Sequence, residues 1–205
     1  SKRSKLLEDI EFIIANPRAY AKNVRYTESD LNRSYGLGLD TYESQRAKVI
    51  EERIRLLKPE LVLDFHTTTA EQLDLLITAD RNNEVVQRFI NASAIKDNLV
   101  VSPLNDITTV AQNFVAYEVS NSRLNDDLYE QICTDIERYL DGKMIDQERT
   151  FYKMIGKILP EEEKSIDGLE NFVYNDELQA IPSFLGSKAY KQDGTYAGFK
   201  LERLI

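Results

Sequence analysis

Tryptophan is absent from this chain of 205 residues, and histidine and cysteine occur once each, as His66 and Cys133. One cysteine cannot close an internal disulfide, so a reducing compartment, the cytoplasm, is expected. One histidine excludes, within these residues, a His-rich metal cluster or any mechanism that needs two imidazoles. Positive charge is also scarce: 26 Lys and Arg stand against 35 Asp and Glu, a net charge of −9. Nucleic-acid binders concentrate cations on one face to neutralise phosphates, so no nucleic-acid partner is expected. No apolar run approaches the ~20 residues that span a bilayer, and Ser1-Lys2-Arg3-Ser4-Lys5 does not lead into a signal-peptide core, so no membrane partner is expected.

The 42% of hydrophobic residues suffices for the core of one domain, or one domain and a small appendage. The first residue is not Met, and a charged, helix-like stretch runs straight into the apolar segment Ile10–Ala15, so a preceding segment is expected. Ile10–Ala15 is a short apolar run halted by Asn16-Pro17, the pattern of a buried strand emptying into a loop. The loop over 16–39 carries no sustained period and is long for a connection inside a compact domain, which favours a functional role. Asp40 and Glu43 have the spacing of a capping box, and Ala47, Ile50, Ile54 and Leu57 then recur at helical spacing up to Pro59.

Further strands are expected at 61–65, 73–79, 99–101 and 114–119, and helices at 82–96 and 124–140. This alternation indicates an α/β sheet. From about residue 145 the texture changes to short β-like runs at 151–158, 172–174, 180–184 and 198–201. The expected organisation is an α/β domain over 1–145 and a small β-rich C-terminal subdomain over 146–205. Glu161-Glu162-Glu163 has the look of a solvated turn, and Cys133, on a helix border, that of a packing residue.

Ligands gather at the carboxyl ends of strands in open α/β sheets, and the loop Arg25–Arg33, His66 and Glu118 all fall there. Each has a structural explanation of its own: a loop ion-pair network, a hydrogen-bonded loop histidine, a paired strand carboxylate. Glu118 is the least ordinary, because a carboxylate between Tyr117 and Val119 must be paired, exposed at an edge or held with a raised pKa.

Several segments together resemble one family. ANPRAYAKNVRYTESDLNRSYG, from Ala15 to Gly36, is similar to the signature of the succinylglutamate desuccinylase and aspartoacylase family. Asp64-Phe65-His66-Thr67-Thr68 resembles its strand-end Asp-x-His segment, Ala116-Tyr117-Glu118-Val119 its catalytic-glutamate strand, and Ala189-Tyr190 an Ala-Tyr of its C-terminal part. The resemblance implies a mixed-sheet, zinc-carboxypeptidase-like α/β core with helices on both faces, and a zinc-dependent deacylase that cleaves an N-acyl amino acid or similar carboxylated amide. It implies His66 as a zinc ligand, Glu118 as general base and acid, and Arg25 as the group that polarises the scissile carbonyl. Asn32 and Arg33 would bind a substrate carboxylate, Tyr190 would hydrogen-bond the substrate, and Asp30 and Asp64 would orient their Arg and His neighbours.

The chain also departs from the family pattern. The Gly-x-His-Gly-x-Glu segment that supplies the family's other zinc ligands has no match here, so a site with His66 alone is expected to be incomplete. Thr108 stands where aspartoacylase-like members carry an arginine for an acidic side chain, which leaves the acyl amino acid open. A carboxylate-binding module without catalysis remains the alternative. Loss of a first core strand would leave neighbouring strand edges unpaired, so self-association into homo-oligomers is expected.

Overall fold

The computed structural model describes residues 10–102, 107–189 and 195–204. Two compact units are present, Ser1–Val62 with Ser102–Asn113, and Leu63–Val101 with Phe114–Ile205.

In the first unit, Asn16 caps helix α1 (Pro17–Lys22) by accepting from the Ala19 amide at 3.0 Å, and Pro17 takes the first turn, where no N–H is required. Asn23 ends α1 in the left-handed conformation. A 3-10 turn over Leu31–Arg33 starts at Asp30, and helix α2 spans Tyr42–Leu57. The helix is capped by Thr41, whose hydroxyl accepts from the Ser44 amide at 3.2 Å, and not by the Asp40–Glu43 pair, because the Glu43 carboxylate is taken up by the loop. Ala47 and Ile50 of α2 are buried against Leu31 and Tyr35, with Ile54, Ala15 and Ile107 packed around them.

Ile10–Ala15 is not a strand. A strand needs a neighbouring edge, and among the described residues none pairs with this segment. It is held instead by Arg46, which donates to the carbonyls of Ile14 and Ala15 at 3.1 Å each, and by Arg53, which donates to Glu11 at 2.6 Å. Phe12 is 71% exposed there.

The second unit is built on a seven-stranded mixed sheet, whose first strand begins one residue before the unit does. Its strands are β1 (Val62–Thr68), β2 (Leu75–Thr78), β3 (Asp97–Val100), β4 (Phe114–Ser120), β5 (Thr150–Ile158), β6 (Ile181–Ser183) and β7 (Gly198–Leu204), in the order β1-β4-β2-β3-β5-β7-β6. β2–β3 and β3–β5 are parallel pairs; β2–β4, β5–β7 and β6–β7 are antiparallel. Since β5 pairs with β3, the change of texture near residue 145 falls inside a continuous sheet and inside this unit.

Helix α3 (Glu84–Ala92) is capped by Asn83 and helix α4 (Asp126–Leu140) by Asn125. Glu161-Glu162-Glu163 lies in a short helix, α5 (Pro160–Ser165), rather than a solvated turn. Pro160 opens it, the acids sit where the helix dipole favours negative charge, and Glu162 accepts from the Leu159 amide at 2.9 Å and from Lys200 at 2.7 Å.

Register assigns the faces. Leu75 lies opposite Glu118 and Leu76 opposite Tyr117, so Leu75 and Glu118 share one face, Leu76 and Tyr117 the other. Leu75 and Leu99 join Tyr152, Phe184, Tyr196, Phe199 and Leu201 in the main core cluster. On the opposite face Phe89 of α3 meets the Tyr117 ring edge-on at 6.0 Å.

Strand β7 can approach β6 only because Gly198 has no side chain: a Cβ there would lie 2.6 Å from the Ser183 carbonyl oxygen. Gly198→Ala is therefore expected to lower stability by about 1–3 kcal/mol in urea unfolding. Gly156→Ala, where a Cβ would meet nothing nearer than the Lys200 side chain at 3.8 Å, is expected to change it by about 0.5 kcal/mol or less.

Candidate functional site

The loop that follows Asn16 folds around one buried acid. Glu43, in the first turn of α2, is 0% exposed. Its Oε1 accepts from the Asn16 side chain at 3.1 Å and from the Thr27 amide and hydroxyl at 2.7 Å each, and its Oε2 from the amides of Glu28 and Ser29 at 3.2 Å each. Burial pushes the Glu43 pKa upward, but the hydrogen bonds from Thr27, Asn16 and Ser29 outweigh it and bring it down from 4.5 to about 2. The carboxylate is thus a permanent acceptor for backbone groups that would otherwise be orphaned.

Arg25, Asn32 and Arg33 meet at Asp30. Asp30 Oδ2 accepts from Arg25 Nε and Nη2 at 3.1 and 2.8 Å and from Arg33 Nη1 at 2.5 Å, while Oδ1 accepts from the Asn32 amide at 3.0 Å. Asp30 is largely covered, 16% exposed at its side chain, whereas Arg25 and Arg33 are 46% and 52% exposed. Both guanidiniums are thus anchored on one carboxylate while about half of each arginine side chain stays open to solvent. Planar donors held in place in this way suit a carboxylate ligand.

His66 and Glu118 belong to the second unit. His66 is inside β1, two residues before its end, and its Nε2 lies 2.6 Å from Asp64 Oδ2. Burial raises the Asp64 pKa, yet the neighbouring His66 and the Phe65 amide bring it below the usual carboxylate value. Such a pairing fixes the imidazole's orientation and tautomer. Phe65 stacks on Tyr117 with ring centroids 5.2 Å apart, so these two share a face of the neighbouring strands β1 and β4. Alternation then puts Asp64, His66 and Glu118 together on the opposite face. Tyr190 lies outside the described residues.

Among the described residues no group of three or more His, Cys, Asp or Glu is arranged to hold a metal ion. One imidazole oriented by a carboxylate is part of a zinc site and not a whole one, so these residues do not by themselves fit the metal.

Residues 2–123 match the family model described as the succinylglutamate desuccinylase/aspartoacylase catalytic domain. The chain belongs to the succinylglutamate desuccinylase/aspartoacylase family. A protein of Prochlorococcus marinus (strain MIT 9515) named "Probable aspartoacylase" is 40% identical over 81 residues, covering 34% of this chain and 27% of that protein. An N-acyl-aromatic-L-amino acid amidohydrolase (carboxylate-forming) of Xenopus tropicalis is 37% identical over 70 residues, 29% of this chain and 23% of its own length. The match thus spans about a quarter of either relative. Among solved structures, murine aminoacylase 3 superposes with a TM-score of 0.64 at 21% identity, covering 94% of this chain and 82% of that one. The succinylglutamate desuccinylase of Chromobacterium violaceum gives a TM-score of 0.69 at 16% identity, covering 94% and 72%. These likenesses show the family's mixed α/β fold in this chain.

Glu43 is the site-forming residue that the sequence pattern misassigns. An acid three residues after Asp40 has the same spacing whether it caps a helix or serves a loop. The signal for the second role is the run Thr27-Glu28-Ser29, whose amides need acceptors.

Glu43→Gln is expected to destabilise the first unit, because its amide NH2 would face N–H donors. The folded pKa of about 2 lies below the ordinary 4.5, so the stabilisation is complete above pH 4.5 and is lost as pH falls through about 2. Urea unfolding should show wild type ahead of Glu43→Gln by roughly 3 kcal/mol at neutral pH, with the gap closing below pH 4.5.

Proposed function

We propose that this chain carries part of the machinery of a zinc-dependent hydrolase that cleaves the amide bond of an N-acyl amino acid or a similar carboxylated amide. The observation that carries the reading is the convergence of Arg25 and Arg33 on Asp30, in a loop fixed by Glu43. In this reading Asn32 and Arg33 hold the substrate carboxylate, and Arg25 faces the scissile carbonyl, where a permanent charge stabilises developing oxyanion character. Glu118 moves the proton from water to the leaving amine. Zinc dependence rests on family membership and on His66, and its remaining ligands come from outside the described residues. The amine half and the acyl half of the substrate are left open, since the named relatives differ in both.

A second reading is a carboxylate-binding module without catalysis. It is favoured by Arg25, Asp30 and Arg33 all lying in the first unit and pairing with one another there.

Amine release from a panel of acidic and aromatic N-acetyl amino acids, with added zinc, tests both. The first reading expects release that Glu118→Gln lowers by about 100-fold or more, and that Arg33→Ala weakens chiefly through KM. Saturable binding of the same compounds, abolished by Arg33→Ala and never accompanied by amine release, would establish the second reading instead. Neither binding nor release would overturn both.

A further inference from the structure

Behind the face that carries His66 and Glu118 stands a second buried acid. Asp135 of α4 is 0% exposed. Its Oδ2 accepts from the hydroxyls of Ser93 at 2.7 Å and Tyr117 at 3.0 Å, and its Oδ1 from the Ala94 amide at 2.9 Å and Arg138 at 3.1 Å. Burial first, and then the Asp135 charge, push the Tyr117 pKa well above its ordinary value, so the phenol is a hydrogen-bond donor across the working pH range. The Tyr117 ring meets Phe89 edge-on and lies nearly parallel to Phe65, the interplanar angle being 16°. Tyr117 precedes Glu118 in β4, and Phe65 separates Asp64 from His66 in β1. The two aromatic rings that touch on the helix side are therefore the immediate chain neighbours of the two candidate reactive groups on the other side.

We propose that Asp135 is a positioning residue for the reactive face. It anchors Tyr117 through the phenol, and the Tyr117–Phe65 stack locks β1 against β4, so that His66 and Glu118 are presented together. This rests on the assignment of His66 and Glu118 to the reaction. Asp135 acts only through the strands and touches neither group of the face. A hydrogen-bonded anchor suits this task better than an apolar contact, because Asp135 also ties down the start of the connection after α3 through Ser93 and Ala94, and so has a single position. Small displacements of reacting groups are costly, a shift of ~1 Å being worth up to about 100-fold in rate.

The single histidine makes this measurable without turnover, since its ring gives one set of imidazole proton–nitrogen resonances. At one fixed neutral pH, Tyr117→Phe and Asp135→Asn should shift or split the His66 ring signals. Ile158→Val, a truncation in a separate core cluster, should leave them in place. Phe65→Leu tests the stack alone if Tyr117→Phe does not fold. In the hydrolysis assay the anchoring variants should lower kcat about tenfold with KM within about twofold. His66 signals identical to wild type in folded Tyr117→Phe and Asp135→Asn overturn the proposal. Signals that move in a protein that hydrolyses no N-acyl amino acid uphold the positioning and remove the reactive role assigned to the face.

Discussion

The carboxylate of Glu43 is the constraint on which the candidate binding loop depends. Residues 24–30 form no helix or strand, so their amides have no ladder to bond to, and a loop in that condition would sample many shapes. Glu43 supplies acceptors to Thr27, Glu28 and Ser29 from the rigid first turn of α2. Asp30, the next residue, is then fixed at its main chain, and its side chain can align Arg25 and Arg33. Two acids in series thus convert a helix into a frame for two cations: one buried and spent on backbone, the other at the rim and spent on side chains. The order follows from desolvation, since a buried charge must have its lone pairs filled, whereas a rim carboxylate can share its partners with a ligand.

The second unit solves a related problem by alternation. Strand β4 is buried along its length except at one partly covered position, and that position is Glu118. Its neighbours Tyr117 and Val119 turn toward the other face, where α3 and α4 supply aromatic and hydrogen-bonding partners. Apolar packing on one side thereby sets the position of polar groups on the other. The same division holds in β1, where Phe65 points away from His66 and Asp64.

Much of this was readable from residue patterns. The apolar stripe of Ala47, Ile50 and Ile54, and the runs that became β2, β4, β5 and β7, follow from local periodicity. The segment Ala15–Gly36 pointed to the family through its spacing, and the Arg25, Asp30 and Arg33 that it contains do converge. What failed depended on partners distant in sequence. Ile10–Ala15 has the composition of a strand, but composition does not provide an edge to pair with. Glu43 has the spacing of a cap, but its use was decided by amides 14 to 16 residues upstream. Glu161–Glu163 was misread because acidity suggests solvent, while Pro160 and the helix dipole make the same residues a helix start. The textural change near residue 145 was real in composition, but the sheet crosses it because β3 offered β5 a parallel edge.

The face assignment of β1 has one more implication. Phe65 and His66 are adjacent, and only the two-residue pleat separates the aromatic side from the polar side. Loss or gain of a single residue ahead of them would send the imidazole to the side where Phe65 meets Tyr117 and the phenyl ring to the polar side, an error that no rotamer change can repair. Lineages derived from this chain should therefore vary β1 freely in side-chain chemistry at exposed positions such as Thr67, while length changes in that strand are confined to its flanking loops. Parity, rather than the identity of any one residue, is what inheritance has to preserve there.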